Sequence, residues 1–524
     1  MTDVGAARTS ARSARWVAAG ILLSRIAGLV RERALAHYLG VTAYADVVRT
    51  ALRMPNVLQN LLGEGTLSAS FIPVYAELLE EGKEEEAGRV AGVIFALLVA
   101  VAGGIALVGI VFAPVLVSVF APGFTGLRRA LTIASVRVIF PMAGVLVLSA
   151  WALGILNSHR RFFVSYVAPV AWNAAIIAAL VWFGGDVSAS RLVIAVAWGA
   201  LVGGLLQFAV QLPWVFTLER HLRVSLTMRL EGVREAVRNA GPAIVGRGVV
   251  QLSGYVDIFL ASFIALGSIA LLGYAQTLYL LPISLFGMSV AAAELPELSR
   301  QRSRATELLR DRIRGGLTRM VFYVVPSAVA YLVLGDVIVA ALYQSGDFGA
   351  DETFVTALVL AGYALGLLAS ASTRLFSSAF FALHDTRTPA RIAAVRVLIA
   401  AALGAALMFA LDTVRARGYS LGALGLSIGG AAAAWVEWAL LRRSLRSRLG
   451  PIGADGGALA RMFAAAGAAA VVARGAGALL PPLHPVATAA VVLSVYGACY
   501  LGVGGLLGLS RARGLLRGFA GRRA

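Results

Sequence analysis

What most constrains this chain is a succession of apolar stretches, each long enough to cross a lipid bilayer. Between Val90 and Leu127 no residue carries a charge. A spanning helix needs roughly 20 apolar residues, so with short loops the chain has room for about fourteen spans. Within hydrocarbon every backbone polar group must be satisfied internally, which makes helices the default, and no period-two alternation suggests a barrel. Helices are expected over 16–38, 46–79, 88–120, 130–156, 162–183, 190–217, 236–264, 268–299, 317–344, 353–382, 388–411, 418–441, 458–480 and 485–509. The fold class is therefore an all-α polytopic membrane protein. Composition agrees: 59% of residues are hydrophobic and 14% charged, where soluble domains carry about a quarter charged.

The formal charge of +19 could suggest nucleic acid, but its distribution excludes that reading. Arg8, Arg12 and Arg15 precede the first span; Arg160 and Arg161 follow the fourth. Arg220, Arg223, Arg229, Arg234 and Arg238 lie between the sixth and seventh, and Arg300, Arg302, Arg304, Arg310, Arg312 and Arg314 between the eighth and ninth. Arg442, Arg443, Arg446 and Arg448 follow the twelfth, and Arg511, Arg513, Arg517, Arg522 and Arg523 close the chain. All fall on one side if both termini are cytoplasmic, which is the positive-inside pattern. Cys499 is the lone cysteine, so no disulfide framework or thiolate metal site is expected. No cleavable leader is expected, because Arg25 and Arg31 interrupt the first apolar stretch.

The chain carries an internal repeat. Gly40 and Pro55 are matched by Gly267 and Pro282 at one common offset, and the same offset carries Arg160 onto Arg387. Helices 1–6 and 7–12 thus read as two copies of a six-helix unit in one orientation. A parallel repeat of this kind puts the transport site at the interface between lobes. The expected division is an N-terminal lobe over 1–218, a C-terminal lobe over 219–445, and two further helices with a basic cytoplasmic tail over 446–524. The small-residue runs Gly429–Ala434 and Ala464–Ala470 suit close helix packing.

Charged side chains inside lipid cost at least ~2.5–3.5 kcal/mol each, so they face a cavity or a partner. Helix 1 carries Arg25 and Arg31; helix 2 carries Asp46, Arg49, Arg53 and Glu64. Arg137, Arg247, Asp257 and Arg374 lie in later spans. Asp46, Arg49 and Arg53 share one helical face. Guanidinium grips phosphate bidentately and stays charged at any working pH. A cationic cavity built from Arg25, Arg31 and Arg53 therefore suits a pyrophosphate, the competing reading being snorkelling arginines and internal ion pairs. Asp46 and Glu64 read either as gating groups or as ion-pairing, helix-end residues. Pro55 and Pro282 should kink their helices, and Gly63-Glu64-Gly65 should loosen helix 2, which makes Pro55, Gly65 and Pro282 candidate hinges. Asp257 and Asp385 are candidate sites for a coupling ion; Asp385, in His384-Asp385-Thr386-Arg387-Thr388-Pro389, also reads as a helix cap. No nucleotide loop, zinc-ligand spacing or nucleophile elbow is present, so neither an ATP-driven pump nor a membrane hydrolase is expected, and no cofactor.

Ser24-Arg25-Ile26-Ala27-Gly28-Leu29-Val30-Arg31-Glu32 resembles the opening of the MurJ/MviN lipid II flippases, within the multidrug/oligosaccharidyl-lipid/polysaccharide exporter superfamily. The resemblance continues through Ala45-Asp46, Met54-Pro55-Asn56, Glu64-Gly65, Ser68 and Phe71-Ile72-Pro73-Val74-Tyr75-Ala76-Glu77. Asp257-Ile258-Phe259-Leu260-Ala261-Ser262 and Ala382–Pro389 extend it across most of the chain. It implies two six-helix lobes around a cationic cavity, plus two helices grooved for a lipid tail. It implies alternating access that carries undecaprenyl-pyrophosphate-linked muropeptide between leaflets of the bacterial inner membrane, in peptidoglycan biosynthesis. Arg25, Arg31, Arg53, Asp46, Glu64 and Asn56 become the substrate-binding set. Na+, H+ or the membrane potential would drive it, with membrane lipids and the cell-wall synthesis machinery as partners of a monomer. The chain departs from the family pattern at Gln59 and Thr277, where relatives commonly carry basic residues. Two alternatives stand beside this reading: an exporter of another lipid-linked oligosaccharide or of drugs, and a non-transporting membrane scaffold.

Overall fold

The computed structural model describes residues 2–288, 306–453 and 455–520. Arg300, Arg302, Arg304, Arg522 and Arg523 lie outside the described residues, as do the side chains of Arg8, Arg12, Arg15 and Arg247. The described chain is helical almost throughout; β-structure among these residues is confined to a hairpin pairing Arg415–Ala416 with Tyr419–Ser420 and one isolated bridge. Ten helices among them are long and apolar enough to cross a membrane, or eleven if Ala350–Ala364 and Leu367–Ala382, bent by 43°, count as one span. The expected spans outside that set are the first, second and seventh. The first and seventh run through residues whose side chains lie outside the described set, and the second is divided into three helices, each too short to span by itself.

Two compact units divide the chain, Met1–Gly267 and Ser268–Ala524. The first contains α1 (Thr2–Leu39), α2 (Ala43–Arg53), α3 (Asn56–Leu62), α4 (Glu64–Glu80), α5 (Glu84–Val111) and α6 (Ala113–Phe120). It continues through α7 (Gly126–Ser158), α8 (Phe162–Phe183), α9 (Ala189–Leu218) and α10 (Glu231–Ala261). Helix α7 is its axis, packed against α9, α5, α4 and α2. The core beside it gathers Phe71 and Tyr75 of α4, Val90 and Ile94 of α5, Trp151 and Ile155 of α7, and Val233 and Ala236 of α10. Trp151, 1% exposed, keeps its indole N–H satisfied by donating to the Ala91 carbonyl at 3.1 Å, as a buried polar atom requires. Helix α10, although it opens the second sequence repeat, packs on α4 within this unit.

The expected second helix, 46–79, is three helices rather than one. Pro55 has no N–H to donate, so the ladder stops and restarts at Asn56. Arg53, left with a carbonyl at the break, receives the Tyr255 hydroxyl at 3.0 Å. A second break falls at Gly63, where a Cβ would lie 2.2 Å from the Gln59 carbonyl oxygen. That contact restricts the position to glycine.

The second unit holds α11 (Ser268–Pro282), a π-helical turn Ile283–Met288, α12 (Thr306–Val333), α13 (Gly335–Tyr343), α14 (Ala350–Ala364) and α15 (Leu367–Ala382). After these come α16 (Arg387–Asp412), α17 (Gly422–Leu449), α18 (Gly456–Ala478), α19 (Pro485–Leu506) and α20 (Ser510–Ala520). Gly429 lets α17 meet α16 closely, since a Cβ there would sit 2.6 Å from the Gly404 Cα. Ala465, Ala466, Ala469 and Ala470 bury one face of α18, so both small-residue runs pack as expected.

Backbone geometry supports part of the repeat. Gly40 and Gly267 both take positive φ, at 52° and 86°. Pro55 begins a helix break and Pro282 ends α11 at the π-helical turn, so both interrupt their helices. The third match shifts. Arg160 is left-handed at φ 58°, and its conformational counterpart is His384 at φ 56°, not Arg387. Each is followed by the same helix-closing bond, Arg161 N–H to Leu156 O at 2.8 Å and Asp385 N–H to Phe380 O at 2.9 Å.

Candidate functional site

The N-terminal unit joins several of its helix charges into paired networks. Glu32, one residue beyond Arg31, is 7% exposed. Its two oxygens are shared: Oε1 accepts from Arg31 Nη2 at 2.8 Å and Oε2 from Arg49 Nη2 at 2.7 Å. Arg31 Nη1 also donates to Asn173 Oδ1 at 3.1 Å, and its guanidinium lies over the Trp172 ring at 4.9 Å. Two guanidinium cations on one carboxylate leave a net single positive charge. The aromatic face and the amide fix the plane of Arg31, and its Nε is buried without a hydrogen-bond partner. Sequence reasoning named Arg31 and Arg49 but gave Glu32 and Asn173 no role. The adjacency of Arg31 and Glu32 was the available signal; Asn173 lies 142 residues away.

Arg53, at the end of α2, is half-buried, and no ion pair is formed by its guanidinium among the described residues. It stands immediately before the Met54-Pro55 break, with half-buried Asn56 opening α3. Arg25 is exposed on α1 and has an interaction partner. Arg137 and Arg374 are exposed on α7 and α15.

Asp46 belongs to a different network from Arg49 and Arg53, although the three share a helical face. It is fully buried. Its Oδ2 accepts from Arg128 Nη2 at 2.6 Å and from the Gly267 backbone N–H at 2.8 Å. Arg128 stacks over Phe124 at 3.6 Å. Asp46 thus ties α2 to the start of α7 and to the turn after α10, the ion-pairing alternative for this residue. Sequence reasoning gave Arg128, just before the expected fourth span, no role; its partner Asp46 lies 82 residues away.

Glu64 is the exposed first residue of α4, where the helix dipole favours a carboxylate. It lines an open polar cleft of about 390 Å³ with Gln59, Asn60, Gly65, Ser68 and Gln207. A buried ladder backs that cleft: Gln207 Nε2 donates to Ser149 Oγ at 3.0 Å, and Ser149 Oγ donates to Gln211 Oε1 at 2.7 Å. The departure residue Gln59 therefore sits beside Glu64. Thr277, the other departure, bonds back to the Gly273 carbonyl of its own helix at 2.9 Å.

Asp257 is half-buried on α10 and has an interaction partner. Asp385 caps α16, accepting from the Thr388 N–H at 2.9 Å and hydroxyl at 2.6 Å, and pairs with Arg448 Nη2 at 2.6 Å. The Thr388 bonds and the Arg448 charge hold its carboxyl well below the usual carboxylate range. No group of three or more His, Cys, Asp or Glu able to hold a metal occurs among the described residues.

The family model for the lipid II flippase MurJ matches residues 35–496. A probable lipid II flippase MurJ of Rhizobium tropici is 32% identical over 456 residues, covering 82% of each chain. The lipid II flippase MurJ of Burkholderia cenocepacia is 31% identical over 385 residues, covering 72% of this chain and 74% of its own. Among solved structures, a lipid II flippase MurJ in an inward closed conformation superposes with a TM-score of 0.73 at 21% identity, covering 92% of this chain and 97% of its own. An inward-facing multidrug transporter of the MOP superfamily gives 0.66 at 19% identity, over 81% and 95%. The extent of the family match and the identity to these relatives place the chain in the MurJ lipid II flippase family, a family of transporters rather than enzymes.

Proposed function

We propose that this chain flips lipid II, the lipid-linked peptidoglycan precursor, from the inner to the outer leaflet of the cytoplasmic membrane by alternating access through a cationic cavity. The observation that carries the site assignment is the Arg31–Glu32–Arg49 cluster followed by Arg53. Two arginines on one carboxylate give a net-positive, rigid donor array, and Arg53 adds a guanidinium that forms no ion pair among the described residues. Planar guanidinium forks match a pyrophosphate. The breaks at Pro55 and Gly63 support segmental movement of the helix that carries Arg49 and Arg53, with Gly65 and Pro282 as further hinges. Asn56 and Glu64 contribute polar contacts to the muropeptide, and Asp46 serves the scaffold. A cation gradient or the membrane potential drives the cycle, with Asp257 as the candidate cation or proton carrier. The arginine-rich loops support cytoplasmic termini, and the chain acts as a monomer alongside the cell-wall synthesis machinery.

The test is complementation. Expression of this chain in a bacterium depleted of its own lipid II flippase should restore growth and cell shape. Correct membrane insertion without rescue overturns the assignment of substrate.

A further inference from the structure

The C-terminal unit holds a second basic site whose residues take no part in the Arg31–Glu32–Arg49 cluster. Helix α17 ends at Gly450, whose φ of 81° turns the chain through Pro451, Ile452 and Gly453 towards α18. Arg442, two turns before that end, folds onto this loop. Its Nε donates to the Ile452 carbonyl at 2.9 Å and its guanidinium lies over the Trp438 ring at 5.0 Å. Gly453 faces it so closely that a Cβ would lie 2.9 Å from Arg442 Nη2. Arg446, one turn further on, and Arg314 of α12 complete the lining of a pocket of about 270 Å³.

The lining contains three guanidinium groups and no carboxylate. The side chains of Arg314 and Arg446 make no ion pair or hydrogen bond among the described residues. Arg310, one turn before Arg314, stands at the rim, its Nη1 3.6 Å from where a Gly450 Cβ would be. Its Nε is buried without a hydrogen-bond partner. The nearest acids, Glu307 and Asp311, are 3.8 Å from it and largely exposed. Asp455, on the same loop, turns its oxygens to the Gly457 and Ala458 N–H groups that open α18.

Such convergence is unfavourable without an anion, since like charges one turn apart repel. Compensation of the α17 dipole does not account for it. Arg442 bonds a carbonyl outside the helix, and Arg314 belongs to α12.

We propose that this pocket binds the phosphate of an acidic phospholipid headgroup. Basic pockets between membrane helices recognise such headgroups through charge-assisted, bidentate hydrogen bonds. The pocket lies where α17 and α18, both long and apolar enough to cross a membrane, meet through their connecting loop, and that position favours a lipid over a soluble phosphate.

The test uses the full-length chain purified in detergent, with bound lipid counted by native mass spectrometry. Phosphatidylglycerol should be retained about tenfold more tightly than phosphatidylcholine, and the Arg314→Gln/Arg446→Gln pair should remove that preference. The Arg314→Lys/Arg446→Lys pair should keep most of it, and Arg415→Gln, on the exposed hairpin, all of it. Gly453→Ala, which displaces only the end of the Arg442 side chain, should weaken retention even if the Gln pair fails to fold. Equal retention of phosphatidylglycerol by wild type and both the Gln and Gly453→Ala variants overturns the proposal. Inorganic phosphate alone should neither raise the melting temperature nor displace the lipid. Protection by phosphate that matches the lipid and is lost in the Gln pair makes the occupant a soluble phosphate, and the lipid assignment fails.

Discussion

Glu32 accepts a hydrogen bond from Arg49 at 2.7 Å, joining α1 to α2 through a carboxylate that Arg31 also holds. The bridge fixes both arginines against their mutual repulsion. Glu32→Gln should therefore leave two nearly buried cations without their counter-charge, a loss of about 3 kcal/mol for breaking a buried pair. A lower melting temperature together with lost transport checks this. Arg49→Gln removes one cation and keeps the Arg31 contact, so it should cost less.

Asp46 and Arg128 form the second buried pair. Asp46→Asn keeps an acceptor for the Gly267 N–H but strands Arg128, and should destabilise by about 3 kcal/mol. Arg128→Gln should recover part of that loss in the double variant. A double-mutant cycle on thermal stability measures the coupling; additive losses would show that the two residues act independently.

Much of this architecture is legible in the sequence, because apolar length and loop arginines report the bilayer directly. Spans 162–183, 190–217 and 388–411 match α8, α9 and α16 to within a residue or two. The second span was legible only as a kinked helix. The Gly63-Glu64-Gly65 run was legible as a loosening of that helix, but the full break at Gly63, where an added Cβ would lie 2.2 Å from Gln59 O, is encoded by no periodicity. Arg31 and Asp46 were legible as important charges, yet their partners were not. Asn173 and Arg128 lie 142 and 82 residues from them, and only tertiary packing brings them together. The shared helical face of Asp46, Arg49 and Arg53 misled in one respect: side-chain reach sends Asp46 to α7 and Arg49 to α1.

Gly63 offers a sharp steric test. Gly63→Ala places a methyl 2.2 Å from a backbone oxygen, so the α3–α4 junction must shift, at about 1–3 kcal/mol for overpacking. Gly103→Ala meets nothing within 4 Å and should be silent. Transport by the two variants, compared at equal expression, distinguishes a required break from general tolerance.

Asp385 gives a pH dependence outside the membrane spans. Its folded carboxyl titrates below its ordinary value of 3.8, so its stabilising contribution is present above that value and lost as pH falls below it. Asp385→Asn should lower the melting temperature at pH 7 and make progressively less difference below pH 3.8. A difference that grows on acidification would contradict the capping role.

The central claim is that the Arg31 guanidinium binds the substrate's phosphates. Reconstituted into liposomes with lipid II, Arg31→Ala should insert and fold yet translocate at no more than about a hundredth of the wild-type rate, the loss of one charge-assisted bidentate contact of roughly 3 kcal/mol. Arg31→Lys should recover only part of it, because a point charge lacks the planar fork. Translocation by folded Arg31→Ala at the wild-type rate would contradict the account.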